Sequence, residues 1–218
     1  MDEKASSANP KATIVSAAIE QIARRGYDGV RLRDIARSAD VSIGLIQHYF
    51  GAREDLLAEA FEHHCAELLE GWSTLTGSEP DPWRRIIALV DRLAASADLS
   101  LRASVWADFC SSAARRPELR PPLRRVYTAW RVFVRDAIAE GAAAETLRPV
   151  IAVDQIVDLL LVQIDGALLA IAGDVGYMDG ARLHQLVVGS AELLLGRTDG
   201  TTSLPLDSTP AADAGRPE

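Results

Sequence analysis

The stretch LRDIARSADVSIGLIQHYFGAREDLL, residues 32–57, gathers arginines with a serine, a glutamine, a histidine and a tyrosine. Its apolar residues form two short helical patterns broken by SADVS, a shape that suits a DNA groove. Ile35, Ala39, Val41, Ile46 and Tyr49 are spaced so that two crossing helices bury them together, and Ala36 is small where those helices approach. That is a helix-turn-helix pattern, whose second helix lies in the major groove. Ser42 is placed to cap this second helix, leaving backbone N–H groups near phosphate. Gly44 costs about 1 kcal/mol relative to alanine inside a helix, and close approach of the backbone to DNA is a reason to keep it.

The whole chain of 218 residues carries a net charge of −8, which at first sight opposes nucleic-acid binding. Residues 1–53, however, hold eight Lys/Arg against six Asp/Glu, while the remainder holds fifteen against twenty-five. A cationic end on an anionic body presents one face to a polyanion and repels it elsewhere. Two cysteines, Cys65 and Cys110, without ligand spacing, argue against a disulfide framework or structural zinc and fit a reducing cytoplasm. Cys65 follows His63 and His64, but adjacent helical residues face different ways, so no metal is expected there. The opening MDEKASSANP lacks the apolar run of a signal peptide. The most apolar run, IVDLLLVQIDGALLAIAG, carries Asp158, Gln163 and Asp165 and reads as a buried helix rather than a membrane span.

These residues must be positioned by helices, because no segment alternates like a half-buried strand. Helical periodicity predicts elements at 11–25, 32–38 and 42–49, then a longer one after Gly51 that ends at TLTGSEPDP. Further helices are expected at 82–97, 101–115, 118–143, 153–173 and 180–196. The fold class is therefore all-α: a three-helix helix-turn-helix head at 10–51 and a larger helical body at 52–197. Tails at 1–9 and 198–218, rich in Ser, Thr, Pro, Asp and Gly, are expected to be disordered.

Residues 12–57, including RRGYDGVRLRDIA and the HYF that ends the recognition helix, resemble the DNA-binding domain of the TetR family of bacterial transcriptional repressors. The IGLIQHYFGAREDLL portion is most similar to the branch that regulates choline and betaine metabolism. The resemblance implies that Ser42, Ile43, Gly44, Leu45 and Gln47 face the bases, and that Lys11, Arg33, His48, Tyr49 and Arg53 contact phosphates. The chemistry agrees: glutamine pairs bidentately with adenine, and Ile43 and Leu45 suit thymine methyls. Three positions depart from the family pattern: Asp40 for the usual glycine, Ile43 for a frequent lysine, and Ala52 for a serine cap. Phe50 reads as core, Tyr49 as core ring with its hydroxyl toward phosphate, and Arg24, Arg25 and Arg37 as a solvated face.

The same resemblance implies a homodimer built on the last two helices, with Gln163, Gly166, Ala167, Ala170, Leu186, Gly189 and Leu193 at the interface. It also implies a pocket for a small-molecule inducer in the ligand-binding and dimerisation body. Trp72, Trp106, Phe109, Tyr127, Trp130 and Phe133 are its aromatic candidates, and Asp158 and Asp165, seven residues apart on one helix side, its carboxylates. A carboxylate beside aromatic rings suits a cationic or quaternary-ammonium ligand; the competing reading is a plain core, with an aspartate paired to an arginine such as Arg102. No nucleotide, metalloprotease or nucleophile-elbow motif occurs, so neither catalysis nor a cofactor is expected. The reading is a ligand-responsive, DNA-binding repressor acting as a cytoplasmic homodimer on a pseudo-palindromic operator, away from any membrane. Its rivals are an all-α binding protein or enzyme without sequence-specific DNA binding, and a DNA binder that answers only to a partner protein. A body cavity of roughly 300–1,000 Å³ separates the last from the first.

Overall fold

Helix α1 (Pro10–Gly29) begins where Asn9 Oδ1 accepts from the Lys11 N–H at 3.1 Å and proline occupies the first helical position. Its helical backbone breaks at Gly26, with φ at 69°, the stop expected from sequence, before one more turn. Helices α2 (Leu32–Ser38) and α3 (Ile43–Phe50) follow at the expected places. The computed structural model describes residues 9–196, with side chains throughout except at 68, 69, 72, 75 and 76. Asn9 apart, both tails expected to be disordered fall outside the described residues.

Helix α4 (Arg53–Ser78) ends within the expected break, where its Thr74 and Ser78 hydroxyls donate to the carbonyls four residues back. Asp81 then caps α5 (Pro82–Ala94) by accepting from the Trp83 and Arg84 N–H groups. Helix α6 (Leu99–Arg115), a 3₁₀ turn at Pro117–Leu119, α7 (Arg120–Ala143), α8 (Val153–Ala172) and α9 (Gly180–Leu194) complete the body. The described residues are all-α.

Two cores form. Ile14, Ile35 and Ile46 of the head are fully enclosed together with Leu56, Leu57 and Ala60 of α4, and Phe109, Ala113, Leu119 and Val126 complete this cluster. The head's packing therefore continues beyond residue 51 and rests on α4, α6 and the start of α7. The second core joins α5, α7, α8 and α9 around Ile138, Ile156, Leu160 and Leu183. Helix α8 is long and apolar enough to cross a membrane by composition, yet Ile156, Val157, Leu160, Ile164, Leu168 and Ile171 are buried within the body. Truncating any of these to alanine removes about 2–5 kcal/mol, as for other enclosed aliphatics.

Candidate nucleic-acid interface and ligand cavity

The α2–α3 turn is made by Asp40, which takes a left-handed φ of 52° where the family usually has glycine. Ser42 Oγ accepts from the Leu45 N–H at 3.1 Å, so the expected cap is present. Ile35, Ala36, Ala39, Ile46 and Phe50 are turned inward. Ser42, Ile43, Gly44, Gln47, His48 and Tyr49 are exposed and Leu45 is half-buried, so α3 presents one continuous surface outward. Tyr49, at 40 % exposure, is not core, because Ile46 and Phe50 already fill the space beneath α3. A Cβ on Gly44 would meet only Ser42 Oγ, at 3.8 Å, so nothing inside the chain requires glycine there. Arg33 is exposed, as are Arg24, Arg25 and Arg37.

Two expected phosphate contacts are occupied within the protein. Lys11 Nζ lies 2.6 Å from Glu59 Oε1 and above the Phe50 ring, pinning α1 to α4. Arg53 is turned inward: Nε donates to Val30 O at 2.7 Å, Nη2 donates to Tyr27 O, and Nη1 pairs with Glu54 at 3.0 Å. Its guanidinium thus satisfies the carbonyls that the α1–α2 connection leaves open. Arg53→Ala should cost about 2 kcal/mol of stability in urea denaturation, since each charge-assisted bond contributes substantially. The slope of log affinity against log salt for DNA should not change; a fall of about one ion with unaltered stability would return Arg53 to the phosphates. Behind it, the Asp55 carboxylate accepts from the Ala52 N–H at 3.2 Å, supplying the cap that alanine cannot.

The head meets the body at α6. Asp108 accepts from the Tyr27 N–H at 2.7 Å, and a Cβ on Gly26 would come within 3.0 Å of its other oxygen. Burial raises the Asp108 carboxyl above its ordinary range, and the Tyr27 bond offsets part of that. Arg116 stacks 4.8 Å from the Tyr27 ring and reaches Asp28 at 2.5 Å.

Two residues before Asp108, Trp106 of α6 lines the body cavity. The cavity's volume is about 110 Å³, below the roughly 300–1,000 Å³ of drug-sized sites and suited to a compact ligand. Trp106, Tyr127, Trp130 and Asp165 line it together, as expected. Asp165 accepts from Trp106 Nε1 at 3.1 Å and from the Tyr127 hydroxyl at 2.8 Å, and makes no ion pair among the described residues. Burial raises its carboxyl above the ordinary 3.8, against the opposing effect of those two bonds. The Tyr127 hydroxyl is itself pushed up, first by burial and then by Cys110 and Asp165.

Asp158 is not in the cavity: it is exposed and paired with Arg131 of α7. Phe109 belongs to the head core, stacked on Phe61, and Phe133 to the body core. Trp72 lies outside the described side chains. His64, Glu67, Arg92 and Arg102 complete the polar wall; of these the sequence pointed only to Arg102, and as an ion-pair partner for an aspartate, a pair that is not present among the described residues. They come from α4, α5 and the start of α6, where no aromatic pattern drew attention. His64 is buried and held neutral, its imidazole lowered to about 4 by burial and then by Arg102, while exposed His63 pairs with Glu67 at 3.5 Å.

On the outer surface, Leu159, Val162, Gly166 and Leu169 form an exposed stripe along α8 beside Leu186 and Leu193 of α9. A Cβ on Gly166 or Gly189 would touch nothing in this chain. Gln163 donates to Ser190 Oγ at 2.8 Å, bridging the two helices, and Ala170 is half-buried. Ala167 departs from the expected interface, being 95 % enclosed in its own core because it lies on the same side of α8 as Ile164 and Ile171.

An outward second helix is the arrangement of a helix-turn-helix regulator, while the body cavity, at about 110 Å³, falls short of the roughly 300–1,000 Å³ expected of a ligand-responsive body. The model of bacterial regulatory proteins of the tetR family matches residues 14–60, and that of the C-terminal part of BetI-type transcriptional repressors matches residues 82–196. The chain belongs to the TetR family of transcriptional regulators, near its BetI branch, and is not an enzyme. It is 33 % identical over 145 residues to the HTH-type transcriptional regulator BetI of Rhizobium meliloti, spanning 60 % of this chain and 71 % of that one. Against the Burkholderia lata BetI it is 30 % identical over 117 residues, half of this chain and 58 % of the other. Among solved structures, a TetR-family regulator from Agrobacterium tumefaciens superposes with a TM-score of 0.75 at 18 % identity, covering 85 % of this chain and 97 % of that one. A regulator from Saccharomonospora viridis, solved in complex with choline, gives 0.74 at 24 % identity, covering 81 % and 92 %.

Proposed function

We propose that the chain is a cytoplasmic repressor that binds a pseudo-palindromic operator as a homodimer and leaves it when a small cationic inducer fills the body cavity. Residues 10–51 read the DNA, and 52–197 bind the ligand and dimerise. The reading of DNA is carried by α3, whose Ser42, Ile43, Gly44 and Gln47 face outward while Ile46 and Phe50 anchor it. His48, Tyr49 and Arg33 are the exposed groups left for phosphate. The cationic inducer is supported by Asp165, a half-buried carboxylate held by two neutral donors beside Trp106, Trp130 and Tyr127. A cation over these rings supplies the missing countercharge. Helix α6 carries both Trp106 and Asp108, so a shift that accommodates ligand moves the seat of α1 and changes the separation of the two heads.

Gln47→Ala should relax preference at one operator position at a cost of about 1–3 kcal/mol, read by binding to a set of single-base operator variants. An equal loss on every sequence would remove Gln47 from base reading. The inducer is tested by fluorescence anisotropy on the bound duplex: choline or tetramethylammonium at millimolar concentration should release the protein. Intact DNA binding with no response to any quaternary ammonium compound would contradict the cationic inducer.

A further inference from the structure

We propose that Arg92 is the gate of the body cavity, an inference that rests on reading that cavity as the ligand site but on no particular ligand. Its guanidinium closes the mouth by lying on Gly71 and swings outward to let a molecule pass. Of the described residues that line the cavity, Glu67 of α4 and Arg92 of α5 are the exposed ones. The cavity therefore meets solvent between these two helices. Gly71 follows Glu67 by one helical turn on the same face of α4, and it is buried. Arg92 covers it: a Cβ on Gly71 would lie 2.9 Å from Nη2, 3.0 Å from Cζ and 3.2 Å from Nε. Three guanidinium atoms at nearly one distance place the flat face of the group against the α4 backbone. A planar, weakly hydrated guanidinium suits that seat, and any residue larger than glycine would deny it.

The arm is also free to move. No protein group tethers the Arg92 guanidinium by a hydrogen bond or ion pair among the described residues, and solvent hydrates its outer side. Its charge therefore loses little when the arm turns toward water. Arg85, two turns earlier on the same face of α5, shows the alternative. It is buried and fixed by bonds to Glu79 O at 3.1 Å, Pro80 O at 3.4 Å and Glu140 at 2.7 Å. At the other lip, Glu67 turns to His63 at 3.5 Å rather than to Arg92. Contact with a backbone, and not an ion pair, closes the mouth, so a rotamer change of one exposed side chain opens it.

Acrylamide quenching of tryptophan fluorescence in the full chain tests the gate, since Trp106 and Trp130 line the cavity behind it. A Trp72→Phe background removes the indole that adjoins Gly71 in sequence, and Trp83, buried in the body core, contributes alike to every variant. Gly71→Ala keeps the arginine but denies its seat, and alanine is the better helix former, so α4 should hold. Arg92→Ala removes the arm itself, at an exposed position. Each variant should raise the bimolecular quenching constant about threefold, with a thermal midpoint no lower than that of the parent. The double variant should quench no faster than either single one, because both changes remove the same contact. Unchanged quenching in both single variants would overturn the gate. Effects that add in the double variant would overturn it too, by giving Arg92 and Gly71 separate roles. No inducer enters this measurement: a chain that quenches as expected but keeps its DNA in choline would lose the cationic inducer and retain the gate.

Discussion

The double variant Val162→Asp/Leu169→Asp is expected to run as a monomer of 23.5 kDa and to lose at least a hundredfold in operator affinity. The two side chains are 68 % and 64 % exposed, on a stripe that continues through Leu159 and Gly166 and onto Leu186 and Leu193 of α9. Within one protomer the change touches little, since exposed substitutions away from special features shift stability by about 0.5 kcal/mol or less. Across a two-fold interface every substitution appears twice, so four carboxylates would be stripped of water with no cation opposite, at several kcal/mol each. Operator binding follows, because one head alone makes half the contacts of a dimer spanning two half-sites. Light scattering reads the mass and gel retardation the affinity, with helix content by circular dichroism unchanged. A variant that stays at twice the protomer mass would move the interface away from this face.

Asp165→Asn is expected to weaken a quaternary-ammonium inducer about tenfold to a hundredfold while leaving operator affinity without inducer unchanged. Burial holds this carboxyl above its ordinary 3.8, so the folded state disfavours the ionised form. For a raised acid, the favourable contribution to folding is present below the ordinary value and is lost as pH rises through the folded value. At neutral pH the ionised Asp165 therefore subtracts from stability, and a bound cation restores it. Thermal melts at pH 7 should show the wild type gaining strongly from saturating ligand, by about 2.7 kcal/mol at a hundredfold excess over Kd. The asparagine variant should be no less stable alone and gain far less. An equal gain in both proteins would place the cation elsewhere.

The helical plan was legible because its signals are local: Asn9, Ser42 and Asp81 sit where a helix must begin, and Gly26 and Asp40 where the backbone turns left-handed. The outward face of α3 follows from the same logic, since burying Ile46 and Phe50 obliges Gln47 and His48 to point away. What could not be read were partnerships across sequence. Arg53 and Lys11 looked like free cations until their targets, 23 to 48 residues distant, came into contact with them. Asp158 and Asp165 share a side of α8, but the near end of that helix lies beside Arg131, so only the farther aspartate enters the cavity. His64 sits in the apolar pattern of α4, which reads as core, and Arg92 and Arg102 sit in none; packing of α4, α5 and α6 around one void brings them together.

The claim that the head reads sequence as half of a dimer is tested most directly by selecting bound duplexes from a random DNA pool at two salt concentrations. The account predicts enrichment of an inverted repeat with half-site centres about 34–36 Å apart or slightly more, retained at the higher salt. Weak, salt-sensitive retention with no enriched sequence would contradict it.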